Sequence, residues 1–208
     1  MAIKLIIFDF DGTIADTSSL FYEAANSLSG KYKLGNIKNL KYYKNVSMKD
    51  LFEKEFKISK FKIPFLMRDC LKYTNQIQSR IKLFTGVKKL ISELKRNHEI
   101  GILTSNLRDT VDKVLNRNKL KVSFIHQKLP LFSKDKAILK ILKTQKLKVN
   151  EVIYIADEIR DIIACKKAGI KIIAVDWGYE SKKLLLTEKP DFIVSKAKEI
   201  LKVIKRLS

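Results

Sequence analysis

Nowhere in the chain do 18 or more apolar residues run together, so no segment reads as a bilayer-spanning helix. The opening stretch MAIKLIIFDF is broken by Asp9 where the apolar centre of a secretion signal would continue. Both absences lead to the expectation of a cytoplasmic protein with no membrane partner. Cysteine is scarce: Cys70 and Cys165 stand far apart and form no CxxC pair, which argues against a disulfide framework or a thiolate zinc site. The two histidines, His98 and His126, lack the companions that a metal site or a catalytic triad needs. Internal repeats and low-complexity tracts are also missing.

Acidic residues are in deficit, 22 against 43 lysines and arginines, for a formal charge of +21. Such a surface attracts phosphate and raises the question of a nucleic-acid partner. Yet only seven of the cations are arginine and the 36 lysines are scattered along the whole chain, a pattern closer to compositional bias than to a binding groove. KNLKYYKN (38–45) comes nearest to an aromatic-interleaved basic stretch, and it does not repeat, so nucleic acid is not expected as a partner.

What is present is a globular chain of 208 residues, 46% hydrophobic, long enough for one sizeable core and a smaller insertion. Apolar runs alternate with helical patterns, the signature of a parallel sheet with crossover helices. Strands are expected at 3–8, 99–104, 121–125, 152–156, 171–175 and 192–194. Helices are expected at 87–97, 107–118, 135–145, 158–169 and 197–206, with Ser195 as the N-cap of the last. Between residues 17 and 82 the strand pattern disappears. SLFYEAANSL, SMKDLFEKEF and FLMRDCLKYTNQI read as helices, and Ser47 with Asp50 marks a helix start.

In open parallel sheets ligands sit beyond the carboxyl ends of the strands. The first strand is followed here by Asp9, Phe10, Asp11, Gly12 and Thr13; the second by Thr104, Ser105 and Asn106; the fourth by Asp157 and Glu158, with Asp161 further on. Carboxylates are hard oxygen ligands suited to Mg2+, and Asp9 and Asp157 come from two different strand ends. A carboxylate can also attack phosphorus, while a second one nearby gives and takes the proton that ester cleavage needs. Thr104, Ser105, Asn106 and backbone N–H groups at a helix start can donate to phosphate oxygens, and a lysine adds fixed positive charge.

Taken in order, DFDGT (9–13), TSN (104–106), the lysine of LFSKDKA (131–137) and ADEIRD (156–161) resemble the four motifs of the haloacid dehalogenase superfamily, over nearly the whole chain outside the insert. The resemblance implies a Rossmann-like parallel α/β core, residues 1–16 and 83–208, carrying a helical C1-type cap, residues 17–82, inserted after the first strand. It implies Mg2+-dependent phosphoryl transfer with Asp9 as nucleophile and metal ligand, and Asp11 as acid and base with its carbonyl on the metal. Thr104 and Lys134 would hold the phosphoryl group, and Asp157 the metal, supported by Asp161. Ala156 and Ser133 stand where similar sequences carry glycine. Lys136 competes with Lys134 for the third motif; Lys134 is preferred because it is expected in the loop before the helix.

Asp11 argues against dehalogenation, since that branch lacks the second aspartate. DGT followed by a helical insert and WGY (177–179) is most similar to the phosphoglycolate phosphatase group. The expected activity is hydrolysis of a small phosphorylated metabolite, phosphoglycolate first, through an aspartyl-phosphate. A β-phosphoglucomutase-like phosphosugar mutase is the alternative enzyme, distinguished by a need for a hexose bisphosphate. A basic module holding nucleic acid or an acidic partner is the alternative outside enzymes. Monomer and dimer are both open.

Overall fold

The structure, a computed structural model, describes residues 2–35, 40–127 and 134–207. Its elements in chain order are β1 (Leu5–Phe8), β2 (Ala15–Asp16), α1 (Ser18–Ser27), α2 (Ser29–Tyr32), α3 (Leu40–Tyr43), α4 (Met48–Asp50), α5 (Ile63–Gln76), β3 (Lys82–Leu83), α6 (Val87–Leu94) and β4 (Glu99–Thr104). There follow α7 (Arg108–Arg117), β5 (Phe124–Gln127), α8 (Lys134–Gln145), β6 (Val152–Ala156), α9 (Ile159–Ala168), β7 (Lys171–Val175), α10 (Lys182–Leu186), β8 (Phe192–Val194) and α11 (Ala197–Leu207).

Six parallel strands form one sheet in the order β5-β4-β1-β6-β7-β8. The chain winds outward from β1 to β5, then returns to the other side of β1 with β6. That reversal puts the ligand crevice of a doubly wound sheet at the carboxyl end of β1. Successive side chains of a strand face opposite ways, so an apolar run feeds two cores at once. Ile6, Phe8, Ile100, Ile102, Ile153 and Ile155 pack on one face with α6, α7 and α11. Leu5, Ile7, Leu103, Val152 and Tyr154 pack on the other with α8 and α9. No helix of the described residues is long and apolar enough to cross a membrane.

Among the described residues of 18–76 the regular elements are all helical, and they bury a third apolar cluster that includes Phe21, Tyr43, Phe52, Phe56, Leu66 and Cys70. The segment SMKDLFEKEF is not one regular helix. After α4, capped by the Ser47 hydroxyl accepting from the Asp50 N–H at 3.2 Å, it widens into a π-helical turn over Leu51–Glu55. Entry to and exit from this helical insert are tied by a short antiparallel ribbon, Ala15 opposite Leu83 and Asp16 opposite Lys82. Two-residue strands are too short to show a period in the sequence.

Two other expectations shift. The edge strand lies at 124–127 rather than 121–125; just before it the Ser123 N–H donates to the Ile100 carbonyl and the Ser123 hydroxyl accepts the Ile100 N–H. Ser195 does not cap α11; its hydroxyl donates to Asp176 at 2.6 Å, and the Glu199 carboxylate turns back to accept the N–H groups of Ser195 and Lys196.

Candidate active site

Strand alternation explains why two aspartates stand one residue apart. Phe10 is fully buried in the core, and its neighbours Asp9 and Asp11 therefore turn the other way, toward the carboxyl edge of the sheet. The chain then folds sharply: Ile14 and Ala15 both donate to the Phe10 carbonyl, and Gly12 adopts φ +73°. Gly12 and Gly178 flank the Asp157 carboxylate, and a Cβ on either would come within 2.0 and 2.2 Å of Asp157 Oδ2. Only glycine permits that approach.

Asp9 is 2% exposed and Lys134 6%. Asp9 Oδ1 accepts the Phe10 N–H at 2.7 Å, and Lys134 Nζ lies 2.6 Å from Asp9 Oδ2 and 2.6 Å from Asp161 Oδ1. Lys134 is the first residue of α8 and not part of a preceding loop, which corrects the reason for preferring it. Its side chain leans back toward the helix N-terminus and the strand ends, as helical side chains do. Lys136, about 200° further round the helix, is exposed. Burial works against the Lys134 charge, but Asp161 and Asp9 outweigh it and hold the ammonium above its ordinary pKa. Ser133 lies outside the described residues.

Asp11 Oδ1 accepts from Asn106 Nδ2 at 2.8 Å. Burial first and the Asp9 charge second push the Asp11 carboxyl up to about 6, against hydrogen bonds from Thr17 and Asn106. Thr104, the last residue of β4, and Ser105 and Asn106 just beyond it are buried. They do not cap α7: the Thr104 hydroxyl accepts the Asn106 N–H, and Asn106 Oδ1 accepts the N–H of Leu107. The loop is folded on itself and aimed at Asp11.

Asp157 is engaged on both oxygens, by the Thr13 hydroxyl at 2.7 Å and the Tyr179 N–H at 2.8 Å. Trp177 serves the same loop, with Nε1 donating to the Thr13 carbonyl at 3.2 Å. Burial, with Glu158 and Asp9 beside it, holds the Asp157 carboxyl well above the usual range. Asp161 is wholly buried and paired with Lys134, so it is not a helix-surface residue. His98 is structural, its Nδ1 lying 2.7 Å from the Ile3 carbonyl.

Oxygens of Asp9, Glu158 and Asp161 all lie within 4.8 Å of one another; Glu158 Oε2 and Asp161 Oδ2 are buried without a partner among the described residues, and Asp161 Oδ1 meets only the Lys134 ammonium. Glu158, 2% exposed, was given no role by its place in the sequence, although it directly follows Asp157. Asp9 and Asp161 share the Lys134 ammonium and Glu158 pairs with Arg160, with Asp11, Asp157 and Glu180 beside them on neutral donors, in a chain whose overall charge is +21. An all-oxygen, anion-rich cluster with unsatisfied lone pairs fits a hard divalent cation such as Mg2+.

Glu180 joins this site to the insert. Its buried carboxylate accepts the Ile159 N–H of α9 at 2.6 Å and a backbone N–H of Met48 in α4. Burial and then Glu158 raise it to about 8, opposed by the Ile159 hydrogen bond and by Arg160. A carboxyl raised in the folded state binds its proton more tightly than in the unfolded chain. Its contribution to stability is therefore full below the unfolded pKa near 4.5 and lost as pH rises through about 8. Glu180→Gln cannot ionise, so its stability relative to wild type should improve with pH, by at most about 1.4 kcal/mol per unit. Thermal melts of both proteins from pH 5 to 9 check this; a stability of Glu180→Gln relative to wild type that stays flat or falls as pH rises refutes it.

A doubly wound parallel sheet that gathers carboxylates and a buried lysine at its carboxyl edge defines an α/β enzyme built for polar group transfer. Residues 6–175 match the family described as haloacid dehalogenase-like hydrolase, and the chain belongs to that family. It is 26% identical over 209 residues to the phosphoglycolate phosphatase of Synechococcus elongatus, covering 98% of both chains. It is 25% identical over 220 residues to the pyrophosphatase PpaX of Bacillus mycoides, covering 100% of both. Among solved structures, a predicted phosphatase from Clostridium acetobutylicum superposes with a TM-score of 0.84 at 20% identity, over 99% of this chain and 100% of that one. The haloacid dehalogenase-like protein SP0104 of Streptococcus pneumoniae does so at 0.80 and 23%, over 97% and 98%. Those structures share the fold.

Proposed function

We propose that the protein is a Mg2+-dependent phosphatase for a small phosphate monoester, phosphoglycolate first, and that it works through an aspartyl-phosphate. The observation that carries this reading is the buried Asp9–Lys134–Asp161 ion-paired trio beside Asp11, at the switch point of the sheet. The relatives named for phosphoglycolate and pyrophosphate support it, and both of those substrates join a phosphoryl group to a second anionic group a few atoms away.

In this reading an Asp9 oxygen attacks phosphorus, held in line by the Phe10 N–H and the Lys134 ammonium. Asp11, with its raised pKa, gives its proton to the departing ester oxygen, and the resulting carboxylate takes one from the water that releases phosphate. Thr104, Ser105 and Asn106 hold the phosphoryl oxygens from the β4 end, and Lys134 balances the charge that spreads over them. The metal would be held by Asp9, the Asp11 carbonyl and Asp157, with Glu158 and Asp161 close by. When bound it neutralises phosphoryl charge that these side chains alone cannot.

Thr17, Phe21, Met48 and Met67 of the insert, with Tyr179 of the core, close the site, leaving a cavity of about 40 Å³ above Asp11 and Asn106. That is room for roughly three water centres. A substrate of a few heavy atoms matches such a space, and the insert acts as a cap that selects by size and excludes water.

A screen of phosphorylated metabolites with Mg2+ tests the reading. Phosphate release should appear for small monoesters, fall by on the order of 10²-fold or more with EDTA, and return with added Mg2+. No hydrolysis of any ester, or hydrolysis indifferent to EDTA, refutes it.

A further inference from the structure

The mechanism above leaves one cation of the site unused, Arg160, whose side chain is 18% exposed. Arg160 stands in the first turn of α9, directly above the carboxyl end of β6. Its Nη2 donates to Glu158 Oε1 at 2.5 Å, which fixes the guanidinium in place. Its Nε and Nη1 are buried and have no hydrogen-bond partner among the described residues. Arg160 also lines the cavity above Asp11, with Ser105 and Asn106 on the core side and Met48 and Met67 on the insert side.

A buried guanidinium with donors left over carries the full desolvation penalty of those groups, and proteins rarely leave it so. The Met48 and Met67 side chains that close the cavity offer no strong acceptor. A planar, permanently charged group with open N–H donors matches a carboxylate or phosphate oxygen. Asp11 is placed to protonate the leaving oxygen, so an anion reaching Arg160 through the same cavity belongs to the leaving-group side of the ester.

We propose that Arg160, positioned by Glu158, binds a second anionic group of the substrate, a carboxylate or a second phosphoryl group on the leaving-group side. The cavity then selects small esters with two anionic ends over those with one. This deepens the phosphatase reading and rests on it for the word substrate, but the binding geometry is testable without turnover.

Calorimetric titration at saturating Mg2+ with three non-hydrolysable ligands provides the test. Phosphonoacetate carries a carboxylate, methylenediphosphonate a second phosphoryl group, and methylphosphonate neither. Wild type should bind at least one of the first two about 10-fold more tightly than methylphosphonate, and which one leads identifies the group. In Arg160→Gln that ratio should fall below about 3. Arg160→Lys, which keeps a point charge without the planar fork, should fall between the two.

Equal binding of all three ligands by wild type overturns the proposal. So does a ratio that survives in Arg160→Gln, or a loss of affinity for all three alike, which would place Arg160 on the common phosphoryl group or in a purely structural pair. If Arg160→Gln does not fold, Arg160→Lys, which keeps a charge beside Glu158, carries the same readout. A protein that shows the preference yet hydrolyses no ester sinks the phosphatase reading and leaves Arg160 standing. One that hydrolyses esters but shows no preference does the converse.

Discussion

Asp9→Asn is expected to abolish both turnover and phosphoenzyme, whereas Asp11→Asn is expected to lose most of its turnover yet still form the phosphoenzyme from an aryl phosphate. The amide at position 9 is a poor nucleophile and a weaker ligand for a cation, and it gives up the charge that Lys134 meets at 2.6 Å. Asp11 stands differently. Its Oδ1 is held by Asn106 Nδ2 at 2.8 Å, and an amide of the same shape can keep that contact through its oxygen. What Asp11→Asn removes is the proton held by a carboxyl raised to about 6, so turnover of an alkyl phosphate should fall by roughly 10² to 10⁴. An aryl phosphate, whose leaving group needs little protonation, should still phosphorylate Asp9 in this variant. Dephosphorylation still needs a base for water and should stall. Rapid quench with mass spectrometry separates the cases: a burst and a phosphate adduct on Asp9 in Asp11→Asn, neither in Asp9→Asn. Equal bursts, or an adduct elsewhere, would overturn the assignment of the two roles.

The parts of this molecule that could be read from its sequence are those where one local pattern decides the outcome. β4, β6 and β7 lie at the expected residues because a strand buried on both faces must be a continuous apolar run; β8, a partly buried edge strand, is signalled only by the short run Phe192–Val194. The pairing of Asp9 with Asp11 around Phe10 follows from the same two-residue period. Legibility fails where partners are distant in sequence. The ribbon of Ala15–Asp16 with Lys82–Leu83 exists only because the ends of the insert meet, and neither strand is long enough to announce itself. Ser195 reads as a helix cap, yet Asp176 competes for its hydroxyl at 2.6 Å and wins. Glu158, Arg160 and Glu180 look like ordinary surface charges in a chain that is 31% charged. Their burial follows from Met48 and Tyr179 closing over them, a contact between insert and core that no local window contains. Lys134 carries the same ambiguity, one lysine among 36, because what sets it apart is an ion pair with Asp9 and Asp161, residues far from it in sequence.

That lysine carries the second large effect. Lys134 is the only cation within ion-pair distance of Asp9 and of Asp161 among the described residues, and both carboxylates are buried. Removing one partner of a buried pair leaves uncompensated charge behind, which costs about 3–5 kcal/mol. Lys134→Ala should therefore lower the melting temperature as well as turnover, and the two losses have to be separated. Lys134→Met keeps the stem of the side chain and removes only the charge, so its packing should hold. Asp161→Asn/Lys134→Met withdraws one of the two stranded carboxylates and should recover part of the stability. Turnover should not follow: the charge that meets the transferring phosphoryl group is absent in both variants, and kcat should stay about 10²- to 10³-fold below wild type. Lys136→Ala, two residues away and exposed, should change neither quantity appreciably. Recovery of kcat together with stability in the double variant would mean that Lys134 acts only as a structural counter-ion, and a crippled Lys136→Ala beside a near-normal Lys134→Met would hand the role to the neighbouring lysine.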